Sequence, residues 1–302
     1  MNVKTYSEKE RRCNASFLSA CPYWHAYTSG KETPLLFSCT QDFAFAMNVV
    51  AQASNEFKGV TILAFEILNN HFHFVLSAEE SEILEFWNYC RRRIGRFFPS
   101  AKGIDLSLRQ IEVLSSLRNC IIYTNRNGYV ADPSYTPFSY PWGTGRCYFL
   151  DAPSGVKFSE MKFDDRRRIL RSRFPGLPND WVIVNDYVSP FSYCAVKFGM
   201  AMFRDAHHYF AMLSKGVELY SEFAAELDDG EFLTDAELFT QIMKCLKQSY
   251  GVTALHDLTR PQKLDLAKKL HYDFRSSNGQ IRRVLALSMM WMPCSHFRPS
   301  IF

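Results

Sequence analysis

The sequence has 302 residues and lacks several features that would assign a chain to a familiar class at once. It contains no run of about 18 apolar residues, so we expect no membrane-spanning helix. The residues up to Asn14 are polar and charged, without the apolar segment of a signal peptide, which predicts a cytoplasmic protein. The nine cysteines stand singly, without a Cys-x-x-Cys pair, which argues against a structural zinc site and favours reduced thiols.

Fixed-period repeats and low-complexity segments are also absent from the sequence. Hydrophobic residues make up 47% of the chain, which is enough for a substantial core and argues against global disorder. The net charge of +4 is compatible with nucleic-acid binding but does not diagnose it. A chain of this length holds one large domain or two ordinary ones, and a change of composition near residue 150 predicts two, at 1–150 and 151–302.

The elements predicted between residues 23 and 128 follow the order strand, helix, strand, strand, helix, strand, and then one more helix. Asn69 and Asn70 mark the turn between the second and third strands. This order predicts an α+β fold of the ferredoxin-like, split βαβ type, with a small antiparallel sheet and helices on one face. The predicted strands are 23–30, 60–70, 71–78 and 106–114, and the predicted helices are 40–57, 81–98 and 115–128, the last of which ends at Gly128.

The region after residue 150 is predicted to be mainly α-helical from the spacing of its apolar residues. Near its end, 260–287 contains a helix, a Ser-Ser-Asn-Gly turn and a second, basic helix. Gln280, Arg282 and Arg283 lie on that second helix. The pattern is compatible with a DNA-binding helix-turn-helix and equally with a plain helical hairpin that packs on the first domain.

The stretch "HFHFVL" (71–76) places two histidines within an apolar strand. Residues two apart in a strand project to the same side, so His71 and His73 lie on one face together with Val75. Phe72, Phe74 and Leu76 then form the opposite face, towards the helices. Two neutral imidazoles about 7 Å apart, twice the rise per residue, can converge on one divalent cation. Taken alone, a His-x-His motif more often marks two histidines on a solvated sheet face than a metal site.

The string from Asn69 to Leu76 resembles the HUH motif (His, bulky hydrophobic residue, His) of single-tyrosine DNA-nicking enzymes, and most closely that of the REP-associated tyrosine transposases. Asn69 stands where members of that family usually have proline. Three other stretches resemble the family in the same order: "WHAYTSGKETPLLF" its first strand and turn, "QDFAFAMNVV" its first helix, and "SLRNCIIYTNRNGYVADPSYTPFSYPWG" its nucleophile helix and the tail after it. The resemblance spans about 23–145 and implies the HUH endonuclease fold.

The resemblance implies that Tyr123 is the nucleophile and that Asn127 completes a metal site with His71 and His73. Residues four apart lie on one helix face, so a single helix can present a phenol and an amide to the same ion. The ion that suits this set is Mg²⁺ or Mn²⁺. A competing alignment, anchored on Arg126 and Gly128, places Asn119 at the nucleophile position and removes the chemistry.

The function that the resemblance implies is that of a DNA transposase or endonuclease. Attack by Tyr123 on a phosphodiester would leave a 5′-phosphotyrosine link and a free 3′-hydroxyl, and a second 3′-hydroxyl would then rejoin the strands. The implied partner is single-stranded or hairpin DNA, and a homodimer is one of the states that the family shows. Two alternatives stay open: a non-catalytic DNA-binding regulator derived from such a transposase, and another metal enzyme that uses the histidines without a tyrosine nucleophile.

Basic and aromatic residues supply the predicted contacts with DNA. A basic patch on the second helix and three further arginines near the predicted site would neutralise phosphates, and aromatic rings would stack on bases. A run of charges on a helix is also what a solvated surface looks like. The arginines are Arg91, Arg92, Arg93, Arg96, Arg109, Arg118 and Arg126, and the aromatic residues are Tyr23, Trp24, Tyr135, Tyr140 and Trp142.

Overall fold

The computed structural model divides the chain into two compact units, 1–129 with 135–230, and 130–134 with 231–302. The domain boundary predicted near residue 150 therefore falls inside the first unit. The structure describes residues 3–20, 22–30, 33–131, 135–136, 138–214, 238–239, 242–243, 245–252, 254–272, 281 and 284–285.

The first unit is built around a four-stranded antiparallel sheet in the order β2-β3-β1-β4. Strand β3 lies between β1 and β2, so the helix that connects β1 to β2 crosses over it, which is the split βαβ arrangement. The mixed α+β class is confirmed, and so is the order of elements between 23 and 128. The strands are β1 (Tyr23–Thr28), β2 (Thr61–Ile67), β3 (Phe72–Ser77) and β4 (Leu106–Ile111).

Four long helices accompany this sheet, and shorter elements follow. The long helices are α1 (Val3–Leu18), α2 (Thr40–Glu56), α3 (Glu80–Ile94) and α4 (Leu114–Ala131). The shorter elements of the first unit are α5 (Phe163–Leu170), α6 (Val196–Ala201) and a second sheet of β5 (Val156–Lys157), β6 (Val182–Val184) and β7 (Tyr187–Val188). Its 3₁₀ turns are Pro99–Gly103, Gly145–Cys147, Phe158–Glu160 and Pro190–Ser192.

One face of the central sheet, which we call the phenylalanine face, packs against helices as predicted. The ring of Phe72 lies 5.3 Å from that of Trp87, and Phe74 lies 5.8 Å from Phe86, both partners being on α3. Helix α2 packs beside α3 and against β2. Alternation along β3 therefore directs its phenylalanines into an apolar core.

The opposite face, which we call the histidine face, is also covered, so the prediction that helices occupy one face alone is wrong. Val75 of this face belongs to a core cluster with Leu117 and Ile121 of α4 and Cys13 of α1. Helix α4 contributes to this cluster, so it covers part of the histidine face.

Helix α4 runs three residues beyond Gly128, where it was predicted to stop. A Cβ atom at this position would collide with the ring of Tyr140. Glycine is therefore required here for close packing inside the helix rather than for a left-handed helix end.

The segment 151–195 was predicted as part of a helical region, and this is a further correction. It forms the small second sheet and only one helix of eight residues, α5. Its core joins Phe158, Ile169, Leu170 and Trp181 to Ala51 of α2. Strands of two or three residues carry no measurable period, so sequence patterns do not reveal them.

The second unit contains α7 (Arg260–Tyr272), a π-helical turn at Leu246–Tyr250 and a 3₁₀ turn at Leu255–Asp257. Its core includes Leu246, Leu258, Leu266 and Leu270. Helix α7 matches the first predicted helix of 260–287, whereas Gln280, Arg282 and Arg283 lie outside the described residues. In the described ranges, no helix combines the length and the apolar character needed to cross a membrane.

Candidate metal and nucleophile site

The register of the central sheet gathers polar side chains from three strands on the histidine face. His73 pairs with Tyr27 of β1 on one side and with Glu66 of β2 on the other. His25 pairs with Val75 and so projects to the same side. Directly paired residues share a face, so this register builds the cluster from residues that are up to 48 positions apart, as His25 and His73 are.

His71, which precedes β3, is oriented by its neighbour Asn70. The Asn70 Nδ2 group donates hydrogen bonds of 2.9 Å to the carbonyl oxygens of Gly30 and Thr33, which fixes the amide so that Oδ1 is an acceptor. His71 Nδ1 lies 2.7 Å from that oxygen, so this network assigns the proton to Nδ1. A neutral His71 then carries its lone pair on Nε2, the form that binds a metal.

His73 is held by a second histidine, His25, which the sequence analysis did not select. His73 Nδ1 lies 3.3 Å from His25 Nε2, and the two rings are nearly parallel. A single proton joins these nitrogen atoms, so the neutral pair has two tautomeric arrangements. When His73 donates through Nδ1, its Nε2 holds the lone pair that a metal requires. When His25 donates instead, His73 carries its proton on Nε2 and cannot bind a metal there.

Tyr123 approaches this pair from α4. The Tyr123 ring makes edge contacts with His73 at 5.4 Å and with His25 at 5.9 Å between ring centroids. Asn127, one helical turn later, is fully buried. Asn119, the alternative nucleophile position, is half-buried and makes no ring contact or hydrogen bond with the histidines in the part of the chain that the structure describes.

Glu66 is a member of the cluster that sequence reasoning missed. Its carboxyl group is fully buried, and Oε2 accepts a hydrogen bond from the Gly128 N–H at 3.1 Å. Oε1 has no hydrogen-bond partner among the described residues. Burial raises the pKa of Glu66 well above its ordinary range. The sequence does contain an indication of its importance, because Glu66 is the one charged residue in the apolar run "VTILAFEIL".

Hydrogen bonds fix α4 and the chain after it to the outer edge of β2. Thr144 accepts from Phe65 N at 2.9 Å and donates to Asn125 Oδ1 at 2.7 Å. Asn125 in turn donates to the Tyr209 hydroxyl at 3.1 Å. The chain at 142–144 also pairs with the β2 backbone, so it extends the sheet by a short irregular strand.

The side chains of His71, His73 and Asn127 are chemically suited to bind a divalent metal, but in this conformation they are buried away from solvent. Two imidazoles and an amide oxygen suit Mn²⁺ better than Mg²⁺, and the hydrogen bond to Asn70 presents the correct nitrogen of His71. Both histidines are 0% exposed and Tyr123 is 3% exposed. Within the described ranges, no group of three His, Cys, Asp or Glu side chains is arranged to hold a metal ion, so a metal here would need a third ligand of another type, such as the Asn127 amide.

The structure separates the predicted DNA-binding arginines into three groups. Arg109 is exposed on β4 and pairs with His25, so it alone of the seven is exposed on the histidine face. Arg118 and Arg126 are buried beneath that face. Arg118 donates to Glu10 at 2.8 Å and to the Met202 carbonyl, and its hydrogen bond lowers the pKa of Glu10.

Arg126 donates to the Leu213 carbonyl at 3.2 Å. As the chain is folded here, the guanidinium groups of Arg118 and Arg126 are committed to contacts inside the first unit and do not meet solvent as a DNA-binding surface would.

Three arginines of α3, together with Arg96 just after it, lie in the helical layer on the phenylalanine face, away from the histidines. Arg91 pairs with Asp105 at 3.2 Å, and Arg93 donates to Gln52 and to the Leu170 carbonyl. Arg92 and Arg96 are exposed. The predicted basic patch and the predicted catalytic cluster are therefore on opposite sides of the sheet.

Three of the five aromatic residues predicted to stack on bases are buried in the protein. Tyr23 belongs to the core, Tyr140 donates to the Ile67 carbonyl, and Trp142 stacks on Phe43 at 5.1 Å. The remaining two, Trp24 and Tyr135, are half-buried.

The described part of the chain thus defines an α+β protein with a buried cluster of histidines and a tyrosine on one face of its sheet. Its sequence matches no protein-family model and no curated protein sequence. Among solved structures, it is similar to the REP-associated tyrosine transposase bound to a REP hairpin, with 15% sequence identity and a TM-score of 0.32. The similarity is distant and covers 55% of this chain and 88% of the other.

Proposed function

We propose that this protein is a single-tyrosine DNA transposase or endonuclease with the HUH endonuclease fold. It would nick and rejoin single-stranded or hairpin DNA through a covalent 5′-phosphotyrosine intermediate, with a divalent metal. One observation carries the proposal: the Tyr123 ring contacts His73, the second histidine of the motif. The two residues stand fifty positions apart in the sequence, and the fold brings their rings into contact.

The topology supports the same proposal. The histidine strand β3 is internal to the sheet, and the helix that carries Tyr123 covers the same face as the histidines. The split βαβ order supplies this juxtaposition because β4 leads directly into α4 on that side. The residues that would hold a metal are His71 through Nε2, His73 through Nε2 and Asn127 through its amide oxygen. When bound, the metal would stabilise the charge on the oxygen atoms of the scissile phosphate.

The nucleophile in this proposal is the Tyr123 phenol oxygen. Its attack on phosphorus forms the P–O(Tyr) bond and breaks the bond to the 3′-oxygen, which leaves as a hydroxyl after taking up a proton. The phenol loses its own proton in the same step, since a free tyrosine has a pKa near 10 and is a weak nucleophile at neutral pH. A second strand's 3′-hydroxyl reverses the reaction, so no energy source is needed for rejoining.

Because Tyr123 is buried in this structure, the proposed reaction requires that DNA gain access to it. A DNA strand reaches the buried Tyr123 only if the elements that cover the histidine face, α4 among them, move away from the sheet. Arg109, exposed at the edge strand, is placed to meet a phosphate there.

The burial of Tyr123 also favours a second candidate function, a DNA-binding regulator that keeps this fold without nicking DNA. In that case the cluster is structural, and binding relies on exposed cations such as Arg92, Arg96 and Arg109.

The test is to incubate the full chain with hairpin DNA and Mn²⁺ and to search for a protein–DNA adduct that survives denaturation. We expect the adduct in the wild type and in Tyr89→Phe, whose ring contacts Phe57 in the helical layer, and no adduct in Tyr123→Phe. An adduct that persists in Tyr123→Phe would contradict the proposal. Cleavage without an adduct indicates a metal enzyme with another nucleophile, and binding alone indicates the regulator.

A further inference from the structure

The segment "RRRILRSR" (166–173) contains five arginines in eight residues and is not used by the proposed chemistry. It comprises the second half of α5 and the turn that follows. Ile169 and Leu170 are buried in the core beneath it, so the helix is anchored and its arginines lie outside that core. An anchored run of guanidinium groups is a fixed positive surface rather than a mobile tail.

Arg171 occupies a backbone position that normally belongs to glycine. It closes α5 in the left-handed conformation, with φ 44° and ψ 46°. The amide of Arg171 donates to the Arg168 carbonyl, and the amide of Ser172 donates to the Arg167 carbonyl, as in a Schellman motif. A side chain at this position costs free energy that glycine would not, so the presence of arginine here points to a use for its side chain.

The Arg171 guanidinium lies against two aromatic rings, those of Phe45 and Phe97, which contact each other edge-on with centroids 4.9 Å apart. It lies 4.3 Å from the Phe45 centroid and 4.7 Å from the Phe97 centroid. These two cation–π contacts hold the guanidinium at one place on the surface, and N–H donors of a guanidinium are groups that bind a phosphate. Phe97 directly follows Arg96, so the end of α3 joins the same surface.

The positive charge of this surface is only partly neutralised. Arg168 makes two hydrogen bonds to Asp186, at 3.0 and 3.1 Å, and a longer pair to Asp165. Arg167 lies 3.8 Å from Asp164, a loose contact at the surface. In the described ranges, no carboxylate pairs with Arg171 or Arg173, which leaves their charges available for a ligand.

A cleft of about 390 Å³ opens among these residues. Exposed aromatic rings lie beside two of its arginines, with Phe97 against Arg171 and Phe163 near Arg167. Phe97, Phe163 and Phe174 are 47%, 59% and 90% exposed. Guanidinium groups interleaved with bare aromatic rings are what a single-stranded nucleic acid requires, since phosphates meet the cations and bases stack on the rings. The cleft is lined by Asp164, Arg167, Arg168, Arg171, Ser172 and Arg173.

We propose that this surface, formed by Arg96, Arg167, Arg171 and Arg173 with Phe97, Phe163 and Phe174, binds a segment of single-stranded nucleic acid. It belongs to the helical layer on the phenylalanine face, since Arg93 of α3 donates to the Leu170 carbonyl. It is therefore separate from the cluster of His71, His73 and Tyr123. The identity of the polymer rests on the proposed function; the binding itself requires neither Tyr123 nor a metal.

The test measures binding of the full chain to a fluorescein-labelled oligothymidine of 20 nucleotides by anisotropy, with EDTA present to exclude the metal. We expect Arg171→Gly to bind about threefold to tenfold more weakly and to reduce the salt slope of log K by about 0.7 for the one phosphate contact removed. Glycine fits the left-handed backbone, so this variant keeps the fold. Arg173→Gln provides an independent second test with the same expectation.

The matched control is Arg12→Gln, which removes the same charge from an arginine of α1 that is 76% exposed. Wild-type affinity in both Arg171→Gly and Arg173→Gln would overturn the proposal, as would an equal loss in Arg12→Gln. If the chain bound vesicles of anionic lipid or inorganic polyphosphate more tightly than oligothymidine, and this binding depended on Arg171, then nucleic acid would not be the ligand of this surface. Adduct formation is measured separately. If binding depends on Arg171 but no adduct forms, the proposed nicking function is refuted and the proposed binding surface is not.

Discussion

Along β3 both faces of the central sheet are buried, but they are built from different side chains. The phenylalanine face offers Phe72 and Phe74 to an apolar helix, which is how an ordinary core is made. The histidine face encloses His25, His73 and Glu66 under α4. Burying polar groups costs free energy unless each is hydrogen-bonded, and stability alone would favour apolar residues there. The difference teaches that the first face maintains the fold, whereas the second is the place to look for chemistry.

The largest effect on stability is expected from the phenylalanine face. Phe74→Ala should lower the free energy of unfolding by about 3–5 kcal/mol, because it empties a space between the sheet and α3. Urea denaturation followed by circular dichroism measures the change. Phe174→Ala, at a side chain that is 90% exposed, serves as the control and should stay within about 0.5 kcal/mol of the wild type. A loss at Phe74 no larger than at Phe174 would contradict the claim that the phenylalanine face maintains the fold.

Gly128→Ala tests how closely α4 is fitted to the histidine face. The added methyl group would collide with Tyr140, so we expect a loss of about 1–3 kcal/mol. Gly103→Ala is the matched control, because a Cβ atom there meets nothing within 4 Å. Thermal unfolding measures the stability of both variants. If Gly128→Ala were as stable as Gly103→Ala, the packing of α4 against Tyr140 would be looser than described.

His25→Phe keeps an aromatic ring beside His73 but removes the hydrogen bond to its Nδ1. If His25 selects the tautomer of His73, affinity for Mn²⁺ should fall about tenfold to a hundredfold, as for other groups that orient metal ligands. Electron paramagnetic resonance of free Mn²⁺ measures the affinity without any turnover. Tyr27→Phe, at a ring stacked on His25, should bind Mn²⁺ like the wild type. If His25→Phe bound Mn²⁺ as tightly as the wild type, His25 would not be a residue that orients His73 for metal binding.

The smallest effect concerns pH. Glu66 has a raised pKa in the folded state, so the folded protein retains this proton at pH values where the unfolded chain has released it. Its contribution is fully present below the unfolded pKa, about 4.3, and is lost as pH rises towards the folded pKa. The wild type should therefore lose stability relative to Glu66→Gln between pH 4.5 and pH 8. A constant difference in urea midpoint across that range would contradict the assignment.

Local pattern was sufficient to predict the elements of the central sheet and the side to which its histidines point. Alternation in β3 separates His73 from Phe74 because successive side chains face opposite ways, whatever the rest of the fold does. The helical spacing around Tyr123 likewise located α4, although its end was missed. These predictions depend on neighbours within a few residues, which a sequence displays directly.

Long-range partners explain what the sequence did not reveal. His25 and Glu66 join His73 through strand register, and Arg118 is buried by Glu10, a partner 108 positions away. Nothing beside Arg118 in the sequence distinguishes it from an exposed arginine such as Arg92. The close approach of Tyr140 to Gly128 is likewise a property of the folded chain that no local pattern displays.

The central claim, that Tyr123 is the nucleophile, is tested most directly by locating the covalent bond to DNA. Trypsin cleaves after Arg118 and Arg126, and the peptide Asn119–Arg126 contains Tyr123 as its single tyrosine. After reaction with hairpin DNA and Mn²⁺, nuclease digestion and mass spectrometry should find this peptide carrying a nucleotide through a phosphate on Tyr123. A nucleotide on any other residue, or an unmodified Asn119–Arg126 in a preparation that has cleaved the DNA, would contradict the account.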